Sequence, residues 1–349
     1  MKRWLLIAAT LLAVAFLTLT VVNASWLAPV PVGNPKLIAH RGLYQLYDHE
    51  GVGRDTCTAD RIEQPQHDYL ENTTRSIRRA ARLGASMVEV DIAPTKDGEI
   101  AVFHDWTVDC RTNGSGDVRE LTMEQLKALD AGHGYTADGG KTYPFRGQAV
   151  GAIPALAEAI EAIERKKLIY NFKSGDAGEA DLLVAKLRKA GRDPATSGDG
   201  FYGAPEPVAR IRELVPEAWA FATAEARACS KDYVLTGWTG LLPDSCKGGT
   251  MIIPLNYQWA FWGWPNRLIA RMEEHGGQVI VMGPYADNAA TGLTLPEQLG
   301  EIPDSFNGWI WVEDGWNVIP ARFPRLDDRQ DPQLRAAQDT LERRRADQD

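Results

Sequence analysis

The chain has no excess of positive charge. Lys and Arg number 38 against 47 Asp and Glu, a formal net charge of −9. That excludes a general nucleic-acid binder, whose phosphate-backbone affinity rests on clustered Lys and Arg. An anionic small substrate stays open, because a local cationic site can sit on an acidic protein. Cysteine is scarce, with Cys57, Cys110, Cys229 and Cys246 the only four. No two of them form a CxxC pair, which excludes a zinc ribbon. Neither an internal repeat nor a second domain is evident in the 349 residues, 44% of them hydrophobic and 24% charged.

The N-terminus reads apart from the rest. Lys2 and Arg3 precede an uncharged apolar run from Trp4 to Val22. At about 1.5 Å per residue this run nearly spans a hydrocarbon core of roughly 30 Å. Val22-Asn23-Ala24 resembles a small-residue cleavage site. Residues 1–25 are therefore either a signal anchor or a cleaved signal peptide. Either way the basic flank stays inside and the remainder is exported. It is then anchored facing the periplasm or the outside, or secreted. In an oxidising compartment the four cysteines read as two disulfides. Of the three connectivities four cysteines allow, Cys57–Cys110 with Cys229–Cys246 is expected, because each closes a loop within one half of the chain.

After a Pro-rich linker, Ala28 to Pro35, nine strand-like runs alternate with helix-like stretches. The strands expected are 36–40, 87–92, 100–104, 168–172, 200–203, 218–222, 251–255, 278–282 and 308–312. NTTRSIRRAARLGA is the clearest helix, capped by Asn72 or Thr73 and stopped at Gly84. Alternating strands and helices indicate an α/β chain with a parallel sheet. Asp97-Gly98, between the second and third runs, is a hairpin signal. One strand of that pair is then an antiparallel addition, and eight remain for a (β/α)8 TIM barrel. The charged tail, 326–349, reads as a surface helix or a frayed end.

Functional residues of such a barrel sit at the C-terminal ends of its strands. There the chain places His40 and Arg41, Glu89 and Asp91, His104 and Asp105, Asn171 and Lys173, and Glu313 and Asp314. Two histidines suit proton transfer near neutral pH. Arg41 suits a phosphate, through its planar fork. Glu89 and Asp91, two apart on one strand, point to one face and offer the oxygen ligands a hard divalent cation takes.

His40-Arg41-Gly42, Glu71-Asn72-Thr73, GASMVEVDIAPTKDGEIAVFHD and LTMEQLKALDAG, in this order, resemble the glycerophosphodiester phosphodiesterase family, a PI-PLC-like phosphodiesterase barrel. The resemblance runs from about residue 36 to 173 and fades beyond. It implies a barrel over 36–325, with an inserted segment after the second-strand hairpin at about 106–153. It also implies hydrolysis of glycerophosphodiesters to glycerol 3-phosphate and an alcohol with a divalent metal, Ca²⁺ or Mg²⁺. On it, His40 and His104 are the acid/base pair, with His104 assigned the acid. Arg41 and Lys173 bind substrate, and Glu71 orients Arg41 or completes the metal shell. Glu89 and Asp91 are metal ligands. Asn171 is the third metal ligand, a departure from the glutamate the family usually has there; its amide oxygen can ligate the cation but brings no charge, and Glu313 is a candidate to compensate.

The implied partners are a glycerophosphodiester or lipid head group, and a membrane through the N-terminal segment. Two other readings fit the same residues: phospholipase D-like action on lysophospholipids or sphingolipids, and a catalytically weak barrel that binds glycerophosphoryl groups. YQWAFWGWP, residues 257–265, follows a strand and suits an apolar head group or the membrane interface.

Overall fold

A computed structural model describes residues 2–53, 56–286 and 289–346, so Met1 and the last three residues of the tail lie outside the described residues. The elements, in chain order, are α1 (Lys2–Asn23), β1 (Lys36–Ala39), α2 (Thr74–Leu83), β2 (Met87–Pro94), β3 (Ile100–Val102), α3 (Met123–Lys127) and α4 (Leu156–Ile163). Then come β4 (Lys167–Phe172), α5 (Gly178–Lys189), β5 (Gly200–Gly203), α6 (Pro205–Leu214), β6 (Trp219–Ala222), α7 (Thr223–Thr236) and β7 (Thr250–Pro254). The last are α8 (Asn266–Glu274), β8 (Gln278–Met282), β9 (Trp309–Val312), α9 (Gly315–Arg322) and α10 (Asp331–Ala346). All nine expected strands are present.

Strand order is β6-β5-β4-β2-β1-β9-β8-β7, with β3 attached to β2 off this path. Eight strands in that order, joined through helices, are the topology of a (β/α)8 barrel. β3 runs antiparallel to β2, pairing Ile92 with Val102. The connection turns at Gly98 (φ 71°), and the Thr95 carbonyl accepts from Gly98 N–H at 3.0 Å. β2 is buried from Met87 to Ala93, as expected of a strand covered on both faces.

The chain divides into two compact units. The larger holds Leu37–Ala222, Gly292–Leu299 and Trp311–Asp349. In it β1, β2, β4, β5 and β6 pair in parallel. α2 shows why its sequence is helical: the Thr73 side chain accepts from Ser76 N–H, and Gly84 closes the far end at φ 118°. Ser76, Ile77, Ala80 and Leu83 form its buried face.

Segment 106–153 builds a satellite core within this unit. Val108, Val118, Leu126, Tyr135 and Phe145 pack with Tyr44, Ala59 and Ile62. A disulfide between Cys57 and Cys110 ties the two segments together. Two charges near the end of α10 form ion pairs. Arg344 meets Asp314 at 2.5 Å and Glu63 at 2.8 Å, and Arg345 meets Glu297 at 2.6 Å.

The smaller unit holds Met1–Lys36, Thr223–Thr291 and Gly300–Ile310. β7 pairs in parallel with β8, and β8 with Trp309 and Ile310 of β9. A second disulfide joins Cys229 to Cys246, so both pairings are those expected. α1 is the one described helix long and apolar enough to cross a membrane.

Candidate active site

β1 ends at Ala39, and the backbone then turns through left-handed conformations at Arg41 (φ 53°) and Gly42 (φ 79°). A Cβ at residue 42 would lie 2.7 Å from Ser76 Oγ and 3.0 Å from the Ile77 nitrogen. Only glycine fits there, so α2 approaches closely and the turn aims His40 and Arg41 into the strand exits.

His40 is held from both sides. Its Nδ1 donates to Glu313 Oε1 at 2.8 Å, and its Nε2 lies 3.9 Å from Glu89 Oε2. Glu313 also accepts from the Tyr44 hydroxyl and from Gly292 N–H. It was a candidate to compensate for Asn171 as a metal ligand. In the structure Glu313 is hydrogen-bonded to His40, Tyr44 and Gly292. His104 has a similar arrangement, with Nδ1 donating to Asp105 Oδ1 at 2.6 Å. In both rings the bonded Nδ1 leaves Nε2 as the nitrogen available for proton transfer.

Arg41 is buried between carboxylates. Nη1 donates to Glu71 Oε1 at 3.3 Å, and Nε lies 3.5 Å from Asp91 Oδ2 without a hydrogen bond. Its backbone N–H donates to Glu89 Oε2 at 2.9 Å. Glu71 orients Arg41 and is itself fixed by Arg111 at 3.1 Å and the Tyr135 hydroxyl at 3.0 Å.

Glu89 and Asp91 are fully buried, as one-face residues of β2. Glu89 Oε1 accepts from the Tyr202 hydroxyl at 2.8 Å. Asp91 accepts from Asn72 Nδ2 and Asn171 Nδ2, both at 2.9 Å. Asn171 lies opposite Asp91 in the β2–β4 ladder, so its amide meets the carboxylate as a donor. Lys173 donates to the His104 carbonyl at 2.7 Å.

The charges set distinct protonation preferences. Burial and the neighbouring Asp91 carboxylate push Glu89 up. Burial opposes ionisation of Asp91, but His104, Arg41 and Lys173 outweigh it and hold Asp91 well below the carboxylate range. Burial and nearby Arg41 push the His104 imidazole down to about 4. Burial also opposes a charge on His40, yet the Glu313 carboxylate outweighs it and raises His40 above its ordinary value. Near neutral pH this favours His40 as the protonated partner and His104 as the neutral one. These directions favour the opposite assignment to the one expected, with Glu313 raising His40 and Arg41 weighing on His104.

The donor set suits a hard divalent cation in its chemistry. Two buried carboxyls on one face repel each other, and a cation would allow both to ionise. Among the described residues, however, no three acidic, His or Cys side chains converge as a metal cluster.

Arg111 and Tyr135 come from segment 106–153 and were not singled out from the sequence. Arg111 joins the two halves of the site. It meets Asp105 at 2.8 Å and Glu71 at 3.1 Å, and donates to Thr58 Oγ1 at 2.7 Å. Its one advance signal was its place in RTNGSG, directly after Cys110. Tyr44 and Tyr202 were missed as well, although Tyr202 stands near a strand exit.

A family model described as "Glycerophosphoryl diester phosphodiesterase family" matches residues 40–193. A glycerophosphodiester phosphodiesterase of Caldanaerobacter subterraneus is 44% identical over 107 residues, 30% of this chain and 40% of that protein. Glycerophosphodiester phosphodiesterase 1 of Mus musculus is 36% identical over 135 residues, 39% of this chain and 38% of that protein. The chain thus spans less than half the length of these curated relatives.

An Oleispira antarctica phosphodiesterase, solved with the product sn-glycerol-3-phosphate, aligns with TM-score 0.52 at 19% identity. The alignment covers 83% of this chain and 97% of that one. A glycerophosphoryl diester phosphodiesterase domain from Mycobacterium tuberculosis aligns with TM-score 0.57 at 17% identity, covering 84% and 99%. These likenesses establish the (β/α)8 barrel. The ordered motifs of the first half and the family match agree, so residues 40–193 of the chain match the glycerophosphodiester phosphodiesterase family.

Proposed function

We propose that this chain hydrolyses glycerophosphodiesters to glycerol 3-phosphate and an alcohol, outside the cytoplasm. The observation that carries the proposal is the pair of imidazoles, His40 and His104. Each has its Nδ1 fixed by a carboxylate, and both neighbour Arg41 and the buried Glu89–Asp91 pair. The family match over residues 40–193 and the relatives' names support the same reaction.

Arg41 binds the phosphate, and Glu71 holds the guanidinium toward it. Lys173, tied to the His104 carbonyl, adds positive charge at the same end of β4. Neutral His104 takes a proton at Nε2 from the attacking hydroxyl, which is water or the substrate's own glycerol hydroxyl. Charged His40 gives its Nε2 proton to the leaving alcohol oxygen, while Glu313 stabilises the imidazolium. Glu89, Asp91 and the amide of Asn171 would hold a divalent cation, Ca²⁺ or Mg²⁺. When bound, such a cation supplies neutralisation of the phosphate oxygens.

The barrel is proposed to span 36–325 with 106–153 as its insertion, flanked by residues 1–25 as an export segment and by the tail. α1 with its basic flank supports export, and both disulfides fit an oxidising compartment. The test uses the full chain in detergent micelles, stripped with EDTA and given glycerophosphocholine with Ca²⁺ or Mg²⁺ restored. Metal-dependent release of glycerol 3-phosphate, lost in His40→Ala, supports the reading. A folded protein that releases none with either metal overturns it, and lysophospholipids are then tried in its place.

A further inference from the structure

The C-terminal end of α1 is built into the smaller unit. Arg271, itself buried, donates from Nη2 to the Val22 carbonyl at 3.0 Å and from Nη1 and Nη2 to Asn23 Oδ1 at 3.1 Å. A cation on the last carbonyls of a helix is a favourable cap. Asn23 Nδ2 donates to the Trp238 carbonyl at 2.8 Å, and Asn266 N–H donates to Ser25 Oγ at 3.0 Å. Ala24, between these clamps, is 2% exposed.

Around this exit the surface is apolar. Trp26, Leu27, Leu235, Trp238, Leu241 and Trp262 are each at least 43% exposed. Trp262 Nε1 donates to the Val234 carbonyl at 3.1 Å, which places it at the end of α7. LTGWTGLL, residues 235–242, carries no charge, and none occurs between Trp4 and Lys36. Soluble surfaces seldom leave such uncharged groups of large apolar side chains open. Tryptophan with leucine at a helix exit is the composition of a lipid–water boundary. The occupant is indicated by α1 itself. Its 22 residues, about 33 Å at 1.5 Å each, have a mean hydropathy of 2.7 in their most apolar window, and that window is wholly unburied.

We propose that this face docks on the lipid bilayer that α1 crosses. The proposal rests on the anchor reading of residues 1–25. The smaller unit then lies on the membrane surface instead of hanging from a free tether, because Arg271 and Asn23 leave no slack between helix and body.

The full chain is reconstituted into phosphatidylcholine–phosphatidylglycerol vesicles whose phosphatidylcholine carries bromine at shallow acyl positions, and tryptophan quenching is read. Trp26→Phe and Trp238→Phe should each lower the quenched fraction. Trp219→Phe, in the larger unit, serves as background and should not lower it. If Trp4→Phe alone lowers the quenched fraction, the anchor is inserted but the face stays in water, and the docking proposal falls. If Trp4→Phe also has no effect, the anchor reading fails and takes the docking proposal with it.

Discussion

Glu313 accepts a hydrogen bond from the His40 ring at 2.8 Å, across 273 residues of chain. The last strand exit thus tunes the imidazole at the first. Glu313→Gln removes the charge that raises His40 and keeps an oxygen near Nδ1. Without that charge His40 loses its proton at lower pH. In the proposed mechanism kcat should fall about 100-fold with KM little changed, and the high-pH limb of the kcat profile should move to lower pH. A limb that moves upward, or does not move, would remove Glu313 from this role.

Arg111 is 2% exposed and stands between Asp105 and Glu71. Arg111→Met takes the guanidinium from part-buried Asp105 and leaves buried Glu71 with Arg41 alone, a loss of up to about 3–5 kcal/mol for a broken buried pair. Thermal unfolding should show Tm lowered by several degrees. Arg111→Lys should recover part of that Tm while turnover stays low, because an ammonium cannot reproduce the guanidinium's spread of donors to Asp105, Glu71 and Thr58. Full turnover in the lysine variant would show that charge alone suffices.

Asn171 donates to Asp91 where a carboxylate would repel it. Asn171→Asp should lower Tm in EDTA, since a third carboxyl joins the buried pair. Ca²⁺ or Mg²⁺ should then raise Tm more in the variant than in the natural chain. A Tm insensitive to both metals in both proteins would mean that Glu89 and Asp91 hold no cation.

His67 is packed on Trp316 with ring centroids 5.1 Å apart. Its Nδ1 accepts from Tyr69 N–H at 3.2 Å, and burial lowers its pKa from 6.5 to about 4. The unfolded chain therefore takes up this proton first as pH falls. Stability from the neutral ring is complete above 6.5 and is lost progressively toward 4, by a few kcal/mol at most. Urea unfolding between pH 7.5 and 4.5 should show that slope, and His67→Gln should flatten it. An unchanged slope would place the effect elsewhere.

The strands were legible because each is a short apolar run closed by a turn residue or by charge, and all nine lie within two residues of their expected bounds. Helices without one clear stripe were not singled out. α9 is buried from Gly315 to Pro320, so no polar face marks its period. Within the site, strand exits located His40, Arg41, Glu89, Asp91, His104 and Lys173. Arg111 and Tyr135 escaped notice because they arise in irregular chain, where no periodicity says which way a side chain points. The proposed division of labour between the histidines was also hidden. It depends on Arg41 and Glu313, whose distances from each ring only the fold supplies.

The backbone at Arg41 and Asn72 carries a further consequence. Both are non-glycine residues held at positive φ, 53° and 57°, a conformation L side chains adopt at a cost of about 1–3 kcal/mol. Glycine at either position would relax the chain, and would also delete the phosphate clamp or the side chain that steadies Asp91. That relief is outweighed by the buried pairing each side chain makes with Glu71 or Asp91, so a screen for heat-resistant variants should not return glycine at either position. In directed evolution these two codons are where backbone ease and buried charge pull in opposite directions.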